Sequence, residues 1–366
     1  MISKQELIDK VKRQSGHRGG WPNYFNYDID SDNKIVISAD ISSLDKKAVR
    51  RLDPWGLAFL NDAKIECGID IRGIKFVISV PDNELKADGR LVPNLEAFRR
   101  RVSFLSINNP NLHFAITLNT KPIALDDSKM LFQRPDTEVV RGYTKTKSVN
   151  SETEDNQEGR LEKDFQSWLC PKKQEGKATS TNARLAVLGF DFFNLKKAGF
   201  GILREFPTGV FLGKPPSEKN RVLPTEFVDI VTLNKHGSLA VIELKLNDPQ
   251  LEVIAQLVDY SLFFRCYRDM IWSTISETLH PKNKYIICYV VNNHFHKRFD
   301  KVFECYSPNG SSHGFGIVKV ILGYTPLEPE SKSSNLGLNN DGILMLDDTK
   351  LGVRSVPTIS LFKEIE

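Results

Sequence analysis

The sequence predicts an α/β fold in which a C-terminal mixed sheet flanked by helices follows a separate α/β or α+β domain. Short runs rich in Val, Ile and Leu alternate with helix-length segments in both halves of the chain. Between the halves, residues 144–159 are polar and lack aromatic side chains, which is typical of a linker. We predict an N-terminal domain over residues 1–142, a linker over 143–159, a second domain over 160–326 and a C-terminal extension over 327–366.

Composition narrows the class of protein. The chain of 366 residues is 40% hydrophobic and 26% charged, and its net charge of +4 permits a polyanionic partner without requiring one. No apolar run approaches the roughly 20 residues that cross a bilayer, and the first residues lack the apolar core of a signal peptide. The 5 cysteines form no CxxC pair, so neither a disulfide framework nor a zinc ribbon is expected. We expect a cytoplasmic protein without a membrane partner, and we see no internal repeat of fixed period.

The N-terminal domain shows strand and helix signals but no chemical motif. We predict strands over 34–41, 74–80 and 112–119 and helices over 2–14, 54–67 and 94–106. Asp53-Pro54 is predicted to begin the second of these helices, because proline is favoured at the first helical position. Arg99, Arg100 and Arg101 lie on the third helix and either form a solvated face or meet phosphates.

The second domain shows a longer series of elements. We predict helices over 161–169 and 182–198, a strand over 200–206, a hairpin over 227–246, a helix opened by Asp248-Pro249, a strand over 284–292, a helix over 294–306 and a strand over 315–324. A long connection over 208–225 contains Pro, Gly and basic residues. Connections of this length inside a compact domain are usually functional or mobile.

The predicted hairpin at residues 227–246 carries two carboxylates and an amine that could form a site. Two apolar runs flank a polar, Gly-containing turn. If the arms fold back about His236, Asp229 comes within a residue of lying opposite Glu243, while Glu243 and Lys245 share a face of their strand. Charges in apolar strands are costly unless they are paired or bind a metal. The hairpin is therefore either a solvated edge with one Glu–Lys ion pair or a site where two carboxylates and an amine converge.

A motif on the following helix favours the second interpretation. Gln256 and, one turn later, Tyr260 lie on one helix face. Asp229, the run Glu243-Leu244-Lys245 and this Gln–Tyr pair, in that order and spacing, resemble the PD-(D/E)xK nuclease signature with the QxxxY motif of its RecB-like branch. The resemblance covers residues 159–325. It implies a restriction-endonuclease-like fold for the C-terminal domain.

The resemblance also implies Mg²⁺- or Mn²⁺-dependent phosphodiester hydrolysis. Glu162 is a candidate member of the metal site because the run LEKDFQSWL resembles the first helix of several groups of the family, where an acidic residue joins that site. The implied metal ligands are Asp229, Glu243, Glu162 and the main-chain carbonyl of Leu244. Lys245 would orient or deprotonate the attacking water, and Gln256 and Tyr260 would position the lysine, the water or a phosphate. The family's proline before the first Asp is Val228 here.

The implied partner is nucleic acid, foremost DNA, and a homodimer is possible. The predicted nucleic-acid-binding residues are Arg204, Lys214, Lys219 and Arg221. Both a role in repair and a role in defence or restriction stay open. Two other hypotheses compete with the nuclease: a catalytically silent relative that binds nucleic acid or protein, and an α/β protein whose hairpin only imitates the motif.

Overall fold

The structure is a computed structural model in which two mixed sheets enclose a double layer of helices. It describes residues 21–42, 45–82, 91–132, 139–141, 162–163, 165–166, 169–170, 185–188, 202–217, 220–224, 227–246, 250–279, 281–292, 295–306, 315–322 and 353–359, and single residues at 6, 9, 192 and 248. The predicted linker and most of the predicted C-terminal extension lie outside these residues, as does nearly all of the predicted helix 2–14.

The first sheet has five strands in the order β1-β2-β3-β4-β5. Strands β2, β3 and β4 are parallel, and an antiparallel strand closes each edge. The strands are β1 (Phe25–Ile29), β2 (Lys34–Asp40), β3 (Gly73–Ser79), β4 (His113–Leu118) and β5 (Lys121–Ile123). The three predicted strands are confirmed. β1 was not predicted, although Phe25, Tyr27 and Ile29 alternate inward as a half-buried strand requires.

Two helices connect the parallel strands, α1 (Lys46–Cys67) and α2 (Pro93–Asn108). The predicted start of α1 at Asp53-Pro54 was wrong. Asp45 caps the helix instead, because its Oδ1 accepts the Ala48 N–H at 3.0 Å. Pro54 lies inside the helix, where it removes one main-chain hydrogen bond. The burial of the neighbouring Asp53 and Trp55 shows that tertiary packing holds the helix across this position.

The second sheet has six strands in the order β13-β12-β11-β10-β9-β7. Its strands are β7 (Leu203–Pro207), β9 (Phe227–Leu233), β10 (Leu239–Leu244), β11 (Ile286–Asn292), β12 (Phe315–Leu322) and β13 (Val353–Ile359), and a separate pair is formed by β6 (Val139–Arg141) and β8 (Val210–Leu212). Strands β10, β11 and β12 are parallel, and the others pair antiparallel. The predicted hairpin is confirmed as β9 and β10.

The crossovers of the second sheet are α3 (Glu252–Leu279) and α4 (Phe299–Tyr306). α4 begins later than predicted, and the described part of the predicted helix 182–198 contains a 3₁₀ turn at Leu185–Leu188. Helices α1 and α2 pack on α3 and α4, so one hydrophobic core continues from the first sheet to the second. A second cluster covers the outer face of the second sheet with Phe165, Leu169 and Leu188.

The three consecutive arginines of α2 are structural. Arg101 is buried between the helices, where it binds Asp53 and Asp259 at 2.8 Å. The other two are also engaged: Arg99 pairs with Glu96 and Asp126, and Arg100 donates to the carbonyl of Val222. Neither a solvated face nor a phosphate site describes this run, because all three guanidinium groups are bonded to other groups of the protein.

Candidate active site

The hairpin brings the predicted carboxylates to one edge of the second sheet. Ile230 pairs with Ile242, and the next step along this register places Asp229 opposite Glu243. Val231 and Val241 on the same face pack into the core beneath α3. Both carboxylates therefore lie on the face that α3 covers.

Hydrogen bonds from the adjacent strand and a neighbouring helix hold Asp229 in place. Its Oδ2 accepts the Leu244 N–H at 2.8 Å. Its main-chain carbonyl accepts from Gln166 Nε2 at 2.8 Å, and Arg204 Nε donates to Gln166 Oε1 at 2.9 Å. Burial, followed by the nearby charge of Glu243, raises the pKa of Asp229 well above its usual range, against the lowering effect of Lys245.

Glu243 is the central carboxylate and is only 3% exposed. Its Oε1 accepts from Lys245 Nζ at 2.9 Å and from Gln256 Nε2 at 2.5 Å. Its Oε2 is also buried, and it has no hydrogen-bond partner among the residues that the structure describes. Burying a carboxylate oxygen without a hydrogen-bond partner costs free energy, so a ligand bound to this atom would stabilise the site.

Lys245 lies between two carboxylates. Its Nζ is 2.9 Å from Glu243 Oε1 and 3.4 Å from Glu162 Oε2. Burial acts to lower the pKa of Lys245, but Glu243, Glu162 and Asp229 outweigh it, and the pKa is raised well above its usual value. The amine is therefore charged at neutral pH.

Glu162 reaches the site from the helical segment over the outer face of the sheet. Burial raises the pKa of Glu162 to about 7, with Lys245 opposing the shift and Glu243 and Asp248 adding to it. Its side chain is 23% exposed, which is more than that of Glu243. Glu162 and Lys245, which are far apart in the sequence, thus meet in the structure.

Gln256 and Tyr260 support Glu243 from α3. Gln256 Nε2 donates to Glu243 and also lies 2.7 Å from Tyr260 Oη, and Tyr260 Oη donates to the Phe227 carbonyl at 3.4 Å. Burial and then the charge of Glu243 raise the pKa of Tyr260 well above its usual value, so the phenol stays neutral. This chain of contacts orients Glu243.

The four predicted nucleic-acid-binding residues have different surroundings. Lys214 is exposed, and Lys219 lies outside the described residues. Arg221 is 7% exposed, with its guanidinium 5.2 Å from the centre of the Phe211 ring, which is a packing position. Arg204 is half-buried and engaged with Gln166. Of the three that are described, Lys214 is the most exposed.

Two polar residues near the site were not predicted. Gln166 lies four positions after Glu162, one helical turn away, and this spacing could have indicated that the two side chains share a helix face. Asn292 ends β11 and donates from Nδ2 to the Asp248 carbonyl at 2.8 Å, which holds the chain between β10 and α3. No local pattern marks Asn292, because its contact depends on the neighbouring parallel strand.

No family model matches this chain, and searches of curated proteins and of solved structures return no significant match. Within the described ranges, no three His, Cys, Asp or Glu side chains form a ready-made metal site. None of the helices described here is both long and apolar enough to cross a membrane.

Proposed function

We propose that this chain is a metal-dependent nuclease that hydrolyses phosphodiester bonds in DNA. The single observation that carries the proposal is the buried Glu243 Oε2, which lacks a hydrogen-bond partner in the described structure and belongs to a carboxylate that interacts with Asp229 and Lys245. The order of the motif and the mixed sheet between helices support a restriction-endonuclease-like fold for the C-terminal unit.

The donor set suits a hard divalent cation. Asp229, Glu243 and the Leu244 carbonyl would hold Mg²⁺ or Mn²⁺, and Glu162 would add a further oxygen. Without Glu162 the set needs only the side chains of Asp229 and Glu243 and one main-chain carbonyl, so it does not require a ready-made cluster of three side chains. Burial, together with the neighbouring carboxylates, raises the pKa values of Asp229 and Glu162, and a bound cation would offset both effects. When bound, the ion would lower the pKa of a water and neutralise charge on the phosphate.

The chain's own residues would divide the remaining work. Lys245 is charged, so it would act as a hydrogen-bond donor that orients the attacking water and stabilises negative charge developing on the phosphate. Gln256, held by Tyr260, fixes the Glu243 carboxylate. The Leu244 N–H fixes Asp229. Preorganised donors of this kind need no rearrangement during the reaction.

The proposed function is tested by incubating the protein with duplex DNA, single-stranded DNA and RNA, with Mg²⁺, Mn²⁺ or a chelator. We expect DNA cleavage that the chelator and Asp229→Asn both abolish. Asp70→Asn is the matched control, because its side chain is 84% exposed and lies just before β3 of the first sheet. Cleavage of RNA alone, or unchanged cleavage by Asp229→Asn, would contradict the proposal, and binding without cleavage would favour the silent relative.

Glu162→Gln is expected to lower turnover and to raise the Mg²⁺ concentration that half-maximal activity requires, each by about tenfold, the lower end for groups that support a metal site. The substitution removes a charge without changing volume. Because Glu162 is partly exposed, the free energy of unfolding should change by only about 0.5 kcal/mol. Rates measured across a Mg²⁺ titration, with thermal unfolding as the control, test this. Wild-type metal dependence would remove Glu162 from the site.

A further inference from the structure

The first unit of the chain, β1–β5 with α1 and α2, and the second unit, β9–β13 with α3 and α4, have the same topology, and β7 is an additional strand beside β9. Each consists of a hairpin, a helix, a parallel strand, a second helix, a parallel strand and an antiparallel edge strand. The order β1-β2-β3-β4-β5 in the first sheet matches β9-β10-β11-β12-β13 in the second, position for position. Strand–helix–strand units are common, so a shared strand order alone is weak evidence for a repeat. Local features that the strand order does not require are stronger evidence.

The hairpin turns provide the first such detail. They span residues 30–34 and 234–238, and in each the first side chain, Asp30 or Asn234, caps the turn. Oδ1 of Asp30 accepts the N–H groups of Asp32 and Lys34 at 2.9 Å, and Oδ1 of Asn234 accepts those of His236 and Ser238 at 3.0 Å. Two unrelated hairpins need not share this pattern, because turns of this length are built in several ways.

The main chain of the two turns also agrees. The fourth residue is left-handed in both, Asn33 with φ 58° and Gly237 with φ 77°. The carbonyl of Asn33 accepts the Arg72 N–H at 2.9 Å, and that of Gly237 accepts the Lys282 N–H at 2.9 Å. Each turn is thereby bonded to the segment that precedes the next parallel strand.

The helices pack reciprocally between the sheets. Asp53 lies seven residues after the first residue of α1, and Asp259 lies seven residues after the first residue of α3. Arg101 of α2 crosses to Asp259, while the Tyr306 hydroxyl of α4 crosses to Asp53. An exchange of the two units therefore maps each cross-contact onto the other, as across the two-fold axis of a symmetric dimer.

The first unit lacks the candidate site residues of the second unit at the matching positions. Counted outward from the turns, the counterparts of Asp229, Glu243 and Lys245 are Phe25, Ala39 and Ile41. Counted from the matched aspartates, the counterparts of Gln256 and Tyr260 are Arg50 and Pro54. Phe25, Ala39 and Ile41 are 2%, 4% and 7% exposed and belong to the hydrophobic core, so they offer a cation no ligand.

We propose that the chain is an internal pseudo-dimer, in which the N-terminal unit is a catalytically silent counterpart of the C-terminal unit. This inference rests on the proposed function. One chain then holds one catalytic centre, whereas a symmetric dimer of active units would hold two. Because the strands of a DNA duplex run in opposite directions, one centre meets a single strand in the required orientation at a time. The enzyme therefore cuts one strand per binding event and needs no second copy.

The experiment uses the full-length protein, supercoiled plasmid in excess and Mg²⁺. We expect open-circular DNA to accumulate before linear DNA, at a rate proportional to enzyme concentration. Added Asp229→Asn protein should leave the rate per active chain unchanged, and sedimentation should show a monomer. Glu243→Gln serves as a second inactive partner, and circular dichroism verifies that each variant is folded.

Two results would overturn the inference in distinguishable ways. Linear DNA formed without an open-circular intermediate, or suppression of activity by the inactive variant, would mean that two chains cut together. That outcome would leave the nuclease activity in place and remove the pseudo-dimer. No product from the wild-type protein would remove the proposed function and the inference with it.

Discussion

Lys245→Ala is expected to lower the rate of DNA cleavage by about 10²–10⁴-fold, the usual contribution of a positioned proton-transfer or hydrogen-bonding group. The substitution removes the charge that bridges Glu243 and Glu162, at 2.9 and 3.4 Å. The cleavage rate at saturating Mg²⁺ is the measurement.

Nucleic-acid binding should be nearly unchanged in Lys245→Ala, because one lysine among many contributes little to phosphate affinity. Lys235→Ala is the matched control, since Lys235 is exposed in the turn of the same hairpin. Affinity measured with a chelator present separates binding from cleavage. Equal losses of binding and cleavage would instead assign Lys245 an electrostatic role in holding the substrate.

Arg101→Leu is expected to reduce the free energy of unfolding by about 3–5 kcal/mol, the usual cost of removing one partner from a buried ion pair. The Arg101 side chain is 1% exposed and bonds to Asp53 and Asp259, whose side chains are 0% and 2% exposed. Leucine would leave both carboxylates buried without their cation. Denaturant unfolding of the variant and the wild type measures the difference.

The matched control is Arg72→Leu, because the Arg72 side chain is 67% exposed and its change should stay within about 0.5 kcal/mol. Combining Arg101→Leu with Asp53→Asn and Asp259→Asn should recover part of the loss, since the orphaned charges are then gone. A loss below about 1 kcal/mol for Arg101→Leu alone would contradict a buried, coupled cluster.

The core of the site could be predicted because its parts are close in sequence. Asp229, Glu243 and Lys245 lie on two strands of one hairpin, and alternation along a strand determines which side chains share a face. Gln256 and Tyr260 lie one helical turn apart on the helix that follows. Local periodicity therefore placed each set on one face, and the resemblance to a nuclease motif joined the two sets into one predicted site.

Other features depended on contacts that no local pattern reports. The start of α1 was misjudged because the Asp45 cap and the packing around Pro54 outweigh the preference of proline for a first helical position. Arg221 was predicted to bind nucleic acid, and its ring contact with Phe211 became visible only in the fold.

The sequence by itself determined the second hairpin, the helix after it and which of their side chains share a face, since periods of 2 and 3.6 residues act within one element or between neighbours. The tertiary structure alone decided that Arg101 is buried, that Glu162 meets Lys245 and that the two units repeat one topology. Strand order and main-chain hydrogen bonds do not depend on most side chains, so the repeat requires similar side chains at only a few positions, such as Asp30 and Asn234 in the turns. Asp229 and Phe25 can therefore occupy matching places without any visible repeat in the sequence.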